Sequence, residues 1–394
     1  TPIKSSAASD VYKRQMLLAS DSYKGSLSTL QVAEQIKKGV KKVFPEAEFM
    51  CVPVADGGEG TVDTMVSNLG GSYRTVEVTG PDGSRITAKY GILNSGIAVI
   101  EMAAASGLPI IPKEKRNVMT ATTYGTGELI KAALSEDCSQ IYIGVGGSAT
   151  NDGGIGMAQA LGYSFLDKNG DEVGFGGGEL IRIEKIDSSG ADPRLKDKQI
   201  IVMSDVIKTL CGESGAAAIY GPQKGATPRQ VDELDKGLKH LAEIIKAQMG
   251  IDLEGLPGAG AAGGLGAGLV AFAGADIRSG IKTVLELADF EKKLEWADIV
   301  ITGEGKIDTQ SVLGKVISGI SQMAKKKNIP VIAVSGAIEY GAEVMYDKGV
   351  STMEAAVCKT MQLDEAVRNA DILVENAVER VMRAVRIGQK ISEI

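Results

Sequence analysis

GVGGSATNDGGIGMAQALG, residues Gly144–Gly162, sets a cluster of glycines between two apolar runs. Gln140–Val145, just before the glycines, is short, apolar and β-branched, the composition of a buried strand. Ile155–Leu161 after them reads as the opening of a packed helix. Between the two stand the glycines with Ser148, Thr150, Asn151 and Asp152. Glycine allows tight turns and lets a ligand approach backbone N–H groups, and a helix N-terminus favours anions. Strand, glycine loop and helix in this order predict an α/β fold with a phosphate-binding loop.

The same residues fit a second motif. Gly144-Val-Gly146-Gly-Ser-Ala149 matches the dinucleotide fingerprint G-x-G-x-x-A, with Asp167 near the distance of its ribose-binding acid. Asp152 argues for a different ligand. A carboxylate at the loop mouth repels a bare pyrophosphate but can ligate the Mg²⁺ of a metal-bound nucleotide. Asp152 is therefore expected as a metal ligand, and a dinucleotide-dependent oxidoreductase stands as the alternative.

Composition narrows the chemistry. The chain has 394 residues, 50 glycines, 4% aromatic residues and a formal charge of −7, which favours an α/β protein and gives no support to nucleic-acid or anionic-membrane partners. No apolar run reaches the roughly 18 residues of a membrane span. Cys51, Cys138, Cys211 and Cys358 are scattered without a C-x-x-C pair, as expected of free thiols in the cytoplasm. The single histidine, His240, lies in an expected surface helix away from every glycine loop, so acid–base work falls to carboxylates and lysines.

Working outward, residues 1–15 show no apolar periodicity and are expected to be a disordered or non-native leader. Residues 16–75 read β-α-β-α, the opening of a parallel sheet, with a capping box at Ser28-x-x-Gln31. Tyr73–Met102 alternates through two turn signals as a meander. Thr227-Pro228-x-Gln230 caps a long helix ended by Gly250. PGAGAAGGLGAG (Pro257–Gly268) lacks the strand that a nucleotide loop needs and reads as a flexible loop or close helix packing. Parallel rhythm returns with a strand at Ile299–Ile301 and an exit loop Thr302–Asp308. The expected architecture is a flavodoxin/Rossmann-like parallel-sheet domain built from both chain ends (16–75 and 285–394), with a second α/β domain (76–284) inserted.

Five expected strands end in acidic loops: Asp21; Asp56 with Glu59; Asp152; Asp205; and Glu304 with Asp308. Ligands of open α/β sheets bind at the carboxyl ends of strands, and crowded carboxylates call for a cation. Carboxylates, lysines and glycine-loop amides are the parts of Mg²⁺-dependent phosphoryl transfer. The Walker A spacing is absent, since Val316 follows Gly314-Lys315. We expect Asp21, Lys24, Asp56, Asp152 and Asp205 to be catalytic, with Asp152 and Asp205 as metal ligands. Ser26, Gly57, Gly58, Glu59, Gly147, Ser148, Thr150, Asn151, Gly153, Glu304, Lys306 and Asp308 are expected to bind nucleotide or substrate.

SDSYKGSLST (Ser20–Thr29), VADGGEGTVD (Val54–Asp63), IEMAAASGL (Ile100–Leu108), GGSATNDGG (Gly146–Gly154), GPQKGATP (Gly221–Pro228), PGAGAAGGLG (Pro257–Gly266) and ITGEGKID (Ile301–Asp308) resemble the class I glycerate kinase family. The resemblance runs from Met16 nearly to the C-terminus. It implies phosphorylation of D-glycerate by ATP with Mg²⁺, favours the 2-phosphoglycerate product, and places Lys24, Asp56, Asp152, Asp205 and Glu304 on motif positions. The chain departs from the family pattern at Ile207-Lys208-Thr209 and at Asn117-Val118, where an Asn-Pro pair is usual.

Overall fold

The computed structural model describes residues 14–308, 311 and 315–392. In chain order its strands are β1 (Gln15–Leu18), β2 (Glu48–Cys51), β3 (Gly71–Thr79), β4 (Arg85–Leu93), β5 (Ile97–Glu101), β6 (Gln140–Gly144), β7 (Ser164–Leu166), β8 (Lys185–Asp187), β9 (Gln199–Met203), β10 (Asp276–Arg278), β11 (Ile299–Ile307), β12 (Val331–Ile338) and β13 (Thr352–Ala355). Two units result. One joins the chain up to Pro53 to the chain from Asp289, and the other is Val54–Ala288.

The first unit is a fully parallel sheet in the order β13-β12-β11-β1-β2. Counted within the unit this is the flavodoxin-like order 2-1-3-4-5, whose switch point lies between β1 and β11. Parallel strands need crossover helices, and alternating strand residues feed both faces. On one face Val32, Ile36 and Val40 of the helix Thr29–Lys41 meet Val374, Val378 and Met382 of the helix Ala370–Ser392 over Leu18, Ile301 and Ile332. On the other face Ile317 and Met345 pack with Ala333 and Ile307. The Ser28–Gln31 capping box forms, with Gln31 N donating to Ser28 Oγ at 3.4 Å and Ser28 N to Gln31 Oε1 at 2.9 Å.

Two expectations change in this unit. Gln15 already belongs to β1, paired with Glu48, so it lies outside any leader; residues 1–13 fall outside the described residues. The stretch Thr302–Ile307, expected as an exit loop, continues β11 and pairs with β12 as far as Ile307 and Ile338. Gly303 is a packing device: a Cβ there would overlap the Val334 carbonyl oxygen and crowd the Tyr23 hydroxyl.

The second unit is a mixed six-stranded sheet, β10-β9-β6-β5-β4-β3, parallel from β10 to β5 and antiparallel through the meander β5-β4-β3. Ile100, Ile143 and Val202 face the helices Tyr124–Ala133, Ile155–Ala160 and Leu265–Ala273 through Leu129, Ile155, Met157, Leu265 and Leu269. Val99, Tyr142 and Ile201 face the other way, onto Val62, Met65 and Val66 of the helix Thr61–Leu69 and Val284 of the helix Gly280–Leu287. That contact explains the division at Pro53/Val54 rather than near Val76. Its sequence neighbours place the helix 61–69 in the first domain, but it buries its apolar face on the second sheet.

Candidate functional site

In the first unit the chain leaving β1 runs beside β11 at the switch point. Asp21 N donates to Gly303 O at 2.9 Å, and Ser20 Oγ donates to the same oxygen at 3.0 Å. Asp21 is buried, with Oδ1 accepting from Ser22 N at 2.7 Å. Ser26 closes the next turn, its N and Oγ donating to Tyr23 O at 2.8 and 2.9 Å, and exposed Lys24 stands at the tip. Gly25 has φ +79°, the left-handed conformation that the turn requires. Glu304 is also buried and accepts a hydrogen bond from the Ser311 hydroxyl. Burial, and after it the Glu304 charge, raise the Tyr23 phenol well above its ordinary range; its hydroxyl donates to Val334 O at 2.7 Å. Lys306 is exposed and pairs with Glu339 at 3.0 Å and Asp308 at 3.1 Å. Of the six expected residues here, Lys24 is the exposed residue at the turn after β1, and Lys306 pairs with neighbouring acids.

In the second unit three neighbouring strands, β5, β6 and β9, each deliver a carboxylate to backbone N–H groups at a helix start. Glu101 Oε1 accepts from Val62 N at 2.7 Å, and burial raises its carboxyl. Asp152 Oδ2 accepts from Thr123 N and Thr123 Oγ1, both at 2.8 Å, and Oδ1 accepts from Gly154 N at 3.1 Å. Asp205 Oδ1 accepts from Ser279 Oγ at 2.7 Å and Oδ2 from Ile281 N at 3.2 Å. Helix starts carry partial positive charge, so these carboxylates occupy places that a phosphate could otherwise take. Glu101 was missed in the sequence because it closes the apolar strand Ile97–Glu101 and lies in no glycine loop.

The glycine loop itself turns inward. Thr150, Asn151 and Asp152 are fully buried, and Thr150 Oγ1, Asn151 Oδ1 and Asn151 Nδ2 make no hydrogen bond within the described residues. Lys224, from GPQKGATP, is also buried and donates from Nζ to Thr150 O at 2.5 Å. Burial lowers its ammonium to about 7, partly offset by the negative charge of Asp152. Burial likewise raises the Asp152 carboxyl, against the pull of the Thr123 and Gly154 donors. Gly153 N donates to Gly263 O at 3.1 Å, and the position of a Gly268 Cβ would lie 2.5 Å from Gly153 O. Pro257–Gly268 is thus close packing against this loop. Asp152 does not fit Mg²⁺: three donors already use its oxygens and none of it reaches solvent. That part of the metal expectation is withdrawn.

The dinucleotide reading falls on the same geometry. A Cβ at Gly144 would overlap Gly57 O, and one at Gly146 would lie 2.7 Å from Gly58 Cα. These glycines admit the loop 55–60, where the fingerprint would admit a pyrophosphate. Asp167 is engaged in its own turn, accepting from Asn169 N at 2.8 Å and pairing with Arg182 at 3.0 Å. Gly147 and Ser148 flank the loop's opening, Gly147 exposed and Ser148 buried. His240 is structural, with Nε2 2.7 Å from Ile183 O.

Asp205 differs from Asp152 in remaining partly open. It is half-buried, and Asp56 is close enough to raise its carboxyl further, after burial. Asp56 Oδ1 accepts from Gly58 N at 3.0 Å, which fixes it on the loop with Gly57, Gly58 and exposed Glu59. Among the described residues no three His, Cys, Asp or Glu side chains form a ready metal cage. A Mg²⁺ that arrives with a nucleotide needs only one or two carboxylates, its other ligands being phosphate oxygens and water.

Comparison with known proteins identifies the family. The glycerate kinase family matches residues 16–386. Glycerate kinase of Halalkalibacterium halodurans is 47% identical, over 93% of this chain and 97% of its own. Glycerate 2-kinase of Escherichia coli K12 is 47% identical, over 95% of this chain and 99% of its own. The crystal structure of the Salmonella typhimurium LT2 protein designated glycerate kinase 2 superposes with a TM-score of 0.84 at 43% identity, covering 96% of this chain and 100% of that one. The chain belongs to the glycerate kinase family.

Proposed function

We propose that this enzyme transfers the γ-phosphoryl group of ATP to D-glycerate with Mg²⁺, giving 2-phosphoglycerate and ADP. The observation that carries the reading is the 47% identity to glycerate 2-kinase of Escherichia coli across 99% of that protein. Asp205, with Asp56 beside it, is the carboxylate pair assigned to the metal–nucleotide. Bound there, Mg²⁺ would neutralise charge on the transferring phosphoryl group. The ammonium of Lys24 is assigned to an anionic group of a substrate. The acceptor hydroxyl loses its proton to solvent water as its oxygen bonds to the γ-phosphorus, and the bond from that phosphorus to the β–γ bridging oxygen breaks with its electrons leaving on ADP. No histidine is required, because phosphoryl transfer depends on positioning and charge more than on a strong base.

The test is direct. The protein is incubated with D-glycerate, ATP and Mg²⁺, ADP is followed by a coupled assay, and the product is identified by phosphorus NMR. ADP release that is unchanged without glycerate would overturn the substrate, and a 3-phosphoglycerate signal would overturn the position of transfer.

A further inference from the structure

We infer that Ser279 is a positioning residue for this reaction, holding the Asp205 carboxylate in its working orientation; the inference rests on the reading that places Asp205 at the metal–nucleotide. Strand β10 pairs in parallel with β9, with Arg278 opposite Met203, so Ser279 and Asp205 leave the sheet as neighbours. Ser204 N donates to Arg278 O at 2.9 Å and fixes that register up to the last residue of the strand.

Ser279 caps the helix Gly280–Leu287, and its hydroxyl oxygen accepts from Lys282 N at 3.4 Å. Its single proton goes to Asp205 Oδ1 at 2.7 Å. A cap needs only the acceptor, and the donor half of the hydroxyl is spent on the carboxylate. Ile281 N holds the other carboxylate oxygen at 3.2 Å. The side chain is thus gripped at both oxygens, and rotation about its terminal bond is blocked although Asp56 repels it. Charge-assisted bonds of this kind are about twice as strong as neutral ones. A metal or a substrate hydroxyl then meets the remaining lone pairs in one orientation, and a small misplacement of a reacting group can cost about a hundredfold in rate.

Substitution separates the cap from the grip. Glycine caps nearly as well as serine, yet has no proton for Asp205. Ser279→Gly, Ser279→Thr and Asp205→Asn are assayed with ATP, D-glycerate and Mg²⁺, together with melting temperature. Expected for Ser279→Gly is a kcat at least about tenfold lower, KM for both substrates within about threefold, and Tm within about 2 °C. Ser279→Thr restores kcat to within about threefold of the parent. If Ser279→Gly keeps kcat within twofold while Asp205→Asn is inactive, or if Thr fails as badly as Gly, the positioning role is overturned. Full turnover by Asp205→Asn would instead overturn the site assignment on which the role rests.

Discussion

Replacing Lys224 by Met tests the interior of the glycine loop. Met matches the stem of lysine in length, so the core stays filled, but Thr150 O loses the donor at 2.5 Å and Asp152 loses its buried positive neighbour. An orphaned buried acceptor costs about 1–3 kcal/mol, and a buried charge stripped of its partner about 3–5 kcal/mol. Because Lys224 is only partly charged at neutral pH, the expected loss is about 3 kcal/mol. For a unit of this size that is a fall in Tm of about 10 °C. Asp152→Asn removes the charge but turns an amide NH₂ toward Thr123 or Gly154, both donors, and costs about 2 kcal/mol by itself. In the double variant the lost charges no longer penalise each other, so the combined loss is smaller than additive by at least about 1.5 kcal/mol. Calorimetry on the four proteins reads this coupling. Additivity within about 0.5 kcal/mol would refute the buried pair. A pH series supplies a second sign. Native Lys224 releases its proton near 7 whereas the unfolded chain holds it to its ordinary, higher pKa. Between those values the unfolded state binds more protons, and stability gains with pH. Lys224→Met lacks that gain, so the gap between parent and variant widens from pH 7 to pH 9.

Gly144→Ala is expected to lower stability by about 2–3 kcal/mol, because the new methyl overlaps the Gly57 carbonyl and backbone must move; a melting temperature within about 2 °C of the parent would restore the ligand-facing reading of that glycine. Lys24→Ala should lower kcat/KM about tenfold with Tm unchanged, as expected for an exposed ammonium that acts on a substrate anion. Steady-state kinetics near the parent values would return Lys24 to an ordinary surface role.

Local rules made much of this fold legible. The capping boxes at Ser28 and Thr227, the Gly250 stop and the meander turns depend on residues within a few positions, and each forms as read. The failures are non-local. Amphipathicity shows that Val62, Met65 and Val66 form one apolar face, but it does not name the sheet that face will cover. T-G-E-G-K reads as a loop until Val334 O and the Tyr23 hydroxyl are known to lie against Gly303, which turns that glycine from a sign of flexibility into a sign of crowding. An aspartate among glycines reads as an exposed ligand. Only Thr123, 29 residues away, and Lys224, whose bond to Thr150 spans 74 residues, show that Asp152 points into the core. Ser279 carries no local signal beyond that of a helix cap.

The order of the three strand-end carboxylates decides where chemistry belongs in the second unit. Glu101, Asp152 and Asp205 leave adjacent parallel strands and each docks on N–H groups beside a helix start. If binding amides were the whole function, the three would be equivalent. They differ in what else surrounds them. Asp152 has a buried lysine in electrostatic reach and no exposure, a self-contained arrangement that needs no ligand. Glu101 holds the turn into the helix 61–69 and is likewise pushed up chiefly by burial. Beside Glu101 the Asp63 carboxylate is opposed by the Lys89 ammonium, whereas at Asp205 a second carboxylate, Asp56, works against it while part of it stays open. Like charges at close range disfavour ionisation, and a cation or a proton relieves them. The glycine loop between β6 and the helix 155–160 therefore builds the core, and Asp205 with Asp56 is the pair on which the proposed metal–nucleotide assignment rests.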